Sequence, residues 1–154
     1  MQPLSHVYAV TASTAAAGNV TLRTPGAPDL ACAAPSQFDG PGDQWSPEAL
    51  LAAAIASCFI LTFRSVARAS RLEWSRLQCI VEATLGRVEG VTQFTRVVTR
   101  AALTVPASAD AVLYERTLVK AEHVCLISNS LRCRRELQIE LVRESASQLQ
   151  AEAV

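Results

Sequence analysis

Cys32, Cys58, Cys79, Cys125 and Cys133 are the side chains in this sequence best suited to covalent chemistry. A thiolate can attack an electrophile or ligate a metal, so the surroundings decide between the two. Metal binding has little support. There are two histidines, no Cys-x-x-Cys pair and no His-x-x-x-His spacing, and His123 and Cys125 lie two apart on an expected helix, pointing to different sides. A glycine-rich phosphate loop and a Gly-x-Ser-x-Gly elbow are both absent, so no cofactor is expected and a hydrolase reading loses its support. Thiol chemistry remains. An intracellular cysteine is most often a small buried hydrophobe, and periodicity alone does not separate Cys58 from that role.

The elements that would position these thiols can be read from pattern. Residues 6–13 and 19–24 look like short strands joined near Gly18. From Pro25 to Trp45 the chain carries four prolines and three glycines, which predicts a long irregular loop holding Cys32. Ser46-Pro47-Glu48 is a helix start: serine caps free amides, proline suits the first helical position, and glutamate favours the positive helix end. The run to Arg71 holds no proline or glycine, and its first four turns are apolar on almost every face, as in a buried central helix. Residues 77–88 alternate, with Leu77, Cys79, Val81, Ala83 and Leu85 on one side. Glu89-Gly90 then reads as a tight hairpin turn into a strand from Val91 to Val105, ended by Pro106. A second helix is expected from Ser108 to about Ser128, with Tyr114, Leu118, Ala121 and Cys125 on one face. A last strand from Leu131 to Arg143, including Cys133, would turn Leu137, Ile139 and Leu141 inward. Residues 145–154 read as a frayed tail. The order predicts an α+β domain, two helices packed on antiparallel sheet.

At 154 residues the chain suits one domain spanning residues 1–154. Half of the residues are apolar and 18% are charged, as in a globular protein. Fourteen basic and fourteen acidic side chains cancel, which gives no electrostatic reason to expect nucleic acid or an anionic membrane as partner. The apolar run Ala49–Phe63 is shorter than the ~20 residues a bilayer span requires. The opening Met-Gln-Pro-Leu-Ser-His lacks the basic and apolar regions of a secretory signal, so a cytoplasmic protein with reduced thiols is expected.

Two segments carry a resemblance. SPEALLAAAIASCF, residues 46–59, resembles the Asn/Ser-Pro-Glu-x-Leu-x-x-Ala-x-x-x-x-Cys helix of the OsmC/Ohr family. AEHVCLISNSL, residues 121–131, resembles that family's second signature, Ala-x-x-x-Cys-Pro-x-Ser-Asn. The two cysteines stand sixty-seven residues apart with a hairpin between them, as in the family, and the likeness extends from Val7 to Val142.

The resemblance implies an OsmC-like α+β fold, with antiparallel sheets packed around two central cysteine-bearing helices in an intertwined homodimer. It also implies a peroxidase. Cys58 would attack the O–O bond of an organic hydroperoxide and become a sulfenic acid; Cys125 would condense with it to a disulfide, for reduction by a dithiol, lipoyl-type by family precedent. Apolar neighbours (Ala54, Ile55, Phe59, Leu61) suit an organic peroxide but also raise a thiol's pKa, so a cation or strong donors must favour the thiolate. In Ohr-type members an arginine in the N-terminal strand region does this, held by the glutamate of the Pro-Glu motif. Glu48 matches that glutamate, whereas the nearest basic residue to the arginine position is Arg23, a weak candidate. Leu126 stands where the family usually has proline, and residues 38–45 differ from the loop expected in Ohr proper. The alternative to an enzyme is a thiol sensor or small-ligand binder that keeps the cysteine pair. Glu48 and Cys58 are ten residues apart on one helix, ~15 Å along its axis and rotated by roughly 80°. Glu48 therefore cannot touch its own Cys58, and a role there would require a partner subunit.

Overall fold

The computed structural model describes residues 5–144, so the expected tail at 145–154 lies outside the described residues. Cα packing divides the chain into two compact units, Met1–Leu51 and Ala52–Val154. In the first, β1 (Thr11–Ser13), β2 (Val20–Arg23) and β3 (Leu30–Cys32) form an antiparallel sheet in that order. The expected first strand shortens from 6–13 to three residues. β3 arises inside the stretch read as loop: three residues between prolines are too few to show a period. A short 3-10 turn, Ser36–Phe38, follows. Gly40 closes it, because a Cβ there would lie 1.7 Å from the Ala34 carbonyl oxygen. Cys32 then bridges Trp45 in parallel, and the Ala33 N–H donates to the Trp45 carbonyl at 2.9 Å.

Helix α1 spans Pro47–Ala69 and starts as its sequence predicts. Ser46 Oγ accepts the Ala49 N–H at 3.1 Å, and Pro47 occupies the first helical position. The helix ends two residues short of Arg71. Arg71 turns left-handed at φ 52°, its N–H donates to the Arg68 carbonyl, and the Leu72 N–H reaches back to Ala67 at 3.0 Å. Those paired bonds form a Schellman closure, a task usually given to glycine.

In the second unit, β4 (Arg76–Val88) and β5 (Val91–Val105) pair antiparallel across Glu89-Gly90, both at positive φ, as a two-residue hairpin requires. The alternation expected along β4 holds through Ala83 and fails at Leu85, which is exposed. A register shift between Thr84 and Leu85 turns the strand there. From β5 the chain returns through α2 (Ala111–His123) and α3 (Leu126–Asn129) to β6 (Arg134–Arg143), which lies parallel to β5. The α+β class holds, but this sheet is mixed, because a helical crossover brings the chain back to the end where β5 began. β6 starts at Arg134 rather than Leu131, leaving Cys133 in the bend before it.

One face of the sheet builds the core. Ala101, Leu103 and Val105 of β5 are buried with Phe59, Phe63 and Ala67 of α1 and Tyr114, Leu118 and Ala121 of α2. Leu77, Cys79, Leu137, Ile139 and Leu141 pack around them, so the inward residues expected of β6 are the ones observed. Full burial of each large side chain is worth roughly 1.5–3 kcal/mol. Trp74 adds an edge-on contact to Phe63 at 5.3 Å between ring centroids, and the Tyr114 hydroxyl donates to the Glu73 carbonyl at 2.6 Å. By length and composition α1 could cross a membrane, and one line along it, Ile55, Phe59, Phe63 and Ala67, is buried in protein.

Candidate active site

Cys58 sits on α1 beside the buried line, half-buried and packed against the cluster that contains Cys125. Thr62 follows one turn later, a spacing that brings its hydroxyl over the same helix face. Cys125 arrives differently from the sequence expectation. α2 stops at His123, Val124 caps it, and Cys125 is extended (φ −66°, ψ 117°) at the start of α3. It is nonetheless fully buried with Tyr114, Leu118 and Ala121, the residues whose face it was expected to share. The helix breaks, and the turn that replaces it returns the thiol to the core.

Hydrogen bonds hold that turn. Asn129 Nδ2 donates to the His123 carbonyl at 3.0 Å, closing the end of α2, and its Oδ1 accepts Arg135 from β6 at 3.0 Å. The Asn129 N–H donates to the Cys125 carbonyl at 3.0 Å. Ser128, itself buried, donates its hydroxyl to Cys125 Sγ at 3.3 Å. The Ser-Asn pair of the second motif thus has a physical account: serine addresses the sulfur and asparagine fixes the backbone that presents it.

The two thiols have opposite electrostatics. Burial would raise the Cys58 pKa, but hydrogen bonds from the Ile127 backbone, the Cys125 thiol, the Thr62 hydroxyl and the Leu126 backbone outweigh it and bring Cys58 below an ordinary thiol. For Cys125 burial dominates. Donation from Ser128 offsets part of it, while Cys58 adds to the rise, so Cys125 stays protonated and faces Cys58 as a donor. Cys79 is pushed up to about 11 by burial, with a contribution from Cys125, and is a neutral thiol at physiological pH. Three thiols therefore lie in the same core, and Cys58 is the one whose surroundings favour loss of its proton. Such a pair can take an electrophile on Cys58 and close a disulfide to Cys125.

The remaining sequence candidates lie elsewhere. Arg23 is exposed on β2, with its Nε 2.8 Å from Asp29 Oδ2, so a carboxylate already engages it. Glu48 occupies the first turn of α1, and its Oε2 is buried without a hydrogen-bond partner among the described residues. All five cysteines are free. Sequence reasoning missed Thr62, Ser128 and the Leu126 and Ile127 amides. The i,i+4 spacing from Cys58 could have found Thr62; backbone donors carry no residue-type signal.

A sequence profile described as OsmC-like protein matches residues 40–141. An uncharacterized protein, YmaD, of Bacillus subtilis is 31% identical over 109 residues, covering 69% of this chain and 73% of its own. Among solved structures, an OsmC-like protein of unknown function from Vibrio cholerae superposes with a TM-score of 0.79 at 20% identity, covering 88% of this chain and 99% of that one. An organic hydroperoxide resistance protein from Legionella pneumophila superposes with a TM-score of 0.71 at 24% identity, covering 90% and 98%.

Proposed function

This chain belongs to the OsmC-like family, and on that premise we propose that it reduces organic hydroperoxides to alcohols through the Cys58–Cys125 pair. The observation that carries the reading is the opposed pair: Cys58 lowered by donors, and Cys125 raised by burial and held against it. The Cys58 thiolate attacks the outer oxygen of the peroxide, breaking the O–O bond. The alkoxide leaves and takes a proton, and Cys58 becomes a sulfenic acid. Cys125 then attacks the Cys58 sulfur, releasing water and closing the disulfide. A dithiol reductant, lipoyl-type by family precedent, exchanges with that disulfide and restores both thiols while becoming a disulfide itself.

The name of the Legionella relative supports a peroxide substrate, and the apolar cluster against which Cys58 packs, which includes Phe59 and Phe63, favours an apolar one. The working unit in this reading is a homodimer in the cytoplasm. The Glu48 carboxylate oxygen, buried and unpartnered among the described residues, supports the dimer, since a group arriving from a second chain would satisfy it. The test is steady-state consumption of cumene or t-butyl hydroperoxide by the reduced protein with dihydrolipoamide. Turnover faster than with hydrogen peroxide is expected. Oxidation of the pair without catalytic turnover would replace the enzyme by the sensor.

A further inference from the structure

We propose that the Ser128 hydroxyl is the donor that enables Cys125 to resolve the Cys58 sulfenic acid, by stabilising the Cys125 thiolate that closes the disulfide. The proposal deepens the peroxidase reading and rests on it. In that step the Cys125 sulfur gives up its proton and attacks the Cys58 sulfur. The S–S bond forms, the S–O bond breaks, and the departing hydroxide takes up a proton as water. Cys125 is 0% exposed, and a buried sulfur resists ionisation, so the step needs a donor inside the core. The structure supplies one: Ser128, itself 3% exposed, donates its hydroxyl to Cys125 Sγ at 3.3 Å. Serines and threonines in and beside helices commonly turn that hydroxyl to a carbonyl one turn back. Thr117 does so to Leu113 at 2.8 Å, and Ser130 to Leu126 at 3.0 Å. Ser128 does not: the Cys125 carbonyl accepts the Asn129 N–H at 3.0 Å, and the Ser128 hydroxyl is given to the sulfur. A hydroxyl suits both states of Cys125. It is neutral, so it leaves no unpaired charge in the resting core, and its bond strengthens when the acceptor becomes an anion. The other titratable groups packed in this core are Cys58 on α1, Cys79 on β4 and Tyr114 on α2. The charged side chains beside the turn, Glu122 and Arg135, pair with each other at 3.6 Å.

Carbon NMR of the full chain, isotopically labelled at cysteine Cβ, follows the ionisation of a thiol that reagents cannot reach. On a Cys58→Ser background Cys125 titrates without a second thiolate beside it, and its signal is assigned by its loss in Cys125→Ser. Ser128→Ala is expected to move the Cys125 midpoint upward by about one pH unit, what one net hydrogen bond is worth. Ser128→Thr, which keeps the hydroxyl, is expected to return it. A midpoint unmoved by alanine overturns the proposal, as does one that a folded threonine variant leaves raised. With both cysteines present, disulfide closure after one equivalent of cumene hydroperoxide is followed by quenched-flow mass spectrometry. Ser128→Ala is expected to close about threefold more slowly at neutral pH, because about tenfold less thiolate is partly offset by its greater nucleophilicity. The deficit is expected to vanish at alkaline pH, where Cys125 is ionised with or without the hydroxyl. A deficit that persists there overturns the proposal, because it marks a misplaced sulfur rather than a missing donor. The titration uses no peroxide, so failure of the peroxidase reading would appear separately, as absent turnover in the wild type with the midpoint shift intact.

Discussion

A thiol pair of this kind works by asymmetry, and each partner owes its state to identifiable neighbours. Cys58 is half-buried, which by itself would keep it protonated, yet four donors on two elements reverse the balance. Cys125 has the deeper burial and the poorer set, essentially Ser128. Of the two thiols Cys58 is therefore the one that gives up its proton more readily, the order required if Cys58 is to attack first. Replacing Cys58 by serine should abolish peroxide consumption. Replacing Cys125 by serine should leave the first turnover and then expose Cys58 to sulfinic acid, because no thiol is in place to trap the sulfenic acid. Mass spectrometry after one equivalent of peroxide should find a loss of about 2 Da in the wild type, for the disulfide, and an oxygen adduct in Cys125→Ser. A wild-type disulfide at Cys32, Cys79 or Cys133 would contradict these roles, most sharply at Cys79, whose pKa of about 11 makes it a poor nucleophile.

The elements convert those side-chain preferences into fixed geometry. α1 is held at both ends, by Ser46 and Pro47 at its start and by the Schellman turn at Arg71, so Cys58 occupies a defined height on a rigid rod. Ser46 is also buried, which makes its cap costly to remove. Ser46→Ala should destabilise the protein by about 1 kcal/mol, read as a lowered urea midpoint with an unchanged slope, while Ser46→Asp should recover most of the loss. The break between α2 and α3 matters as much as the helices. A continuous helix through residue 125 would leave the Leu126 and Ile127 amides bonded to carbonyls one turn back, and Cys58 would lose both donors. The extended Cys125 interrupts that ladder and frees them.

For the whole molecule, α1 keeps apolar surface exposed, and Glu48 Oε2 is buried without a hydrogen-bond partner among the described residues. Ile55, Phe59, Phe63 and Ala67 are buried within the chain, but Leu61 on the same apolar helix is 60% exposed. Glu48 and Cys58 cannot meet along the helix that carries both, so a role for Glu48 at the thiol requires a second copy of the chain. Co-refolded Glu48→Ala and Cys58→Ser chains should then recover about a quarter of wild-type turnover, since half of randomly paired dimers hold one intact site of two. Each variant refolded alone should show little turnover. A fully active monomer by light scattering at micromolar concentration would exclude the shared site.

The long elements were legible because their signals are local. The Ser46-Pro47-Glu48 start, the β4 alternation and the Glu89-Gly90 turn each depend on residues within a few positions of one another, and the two motifs marked Cys58 and Cys125. Short or non-local features were not legible. The strand Leu30–Cys32 has too few residues to show a period, and the parallel placement of β6 follows from the path of a crossover. The helix break before Cys125 left no glycine or proline to announce it. The activation of Cys58 was the least accessible: its donors include amides sixty-eight and sixty-nine residues away, and an amide is the same group at every non-proline position. Sequence determined which atoms could react. Only tertiary structure decided which thiol loses its proton more readily, because a pKa depends on the groups that folding brings together.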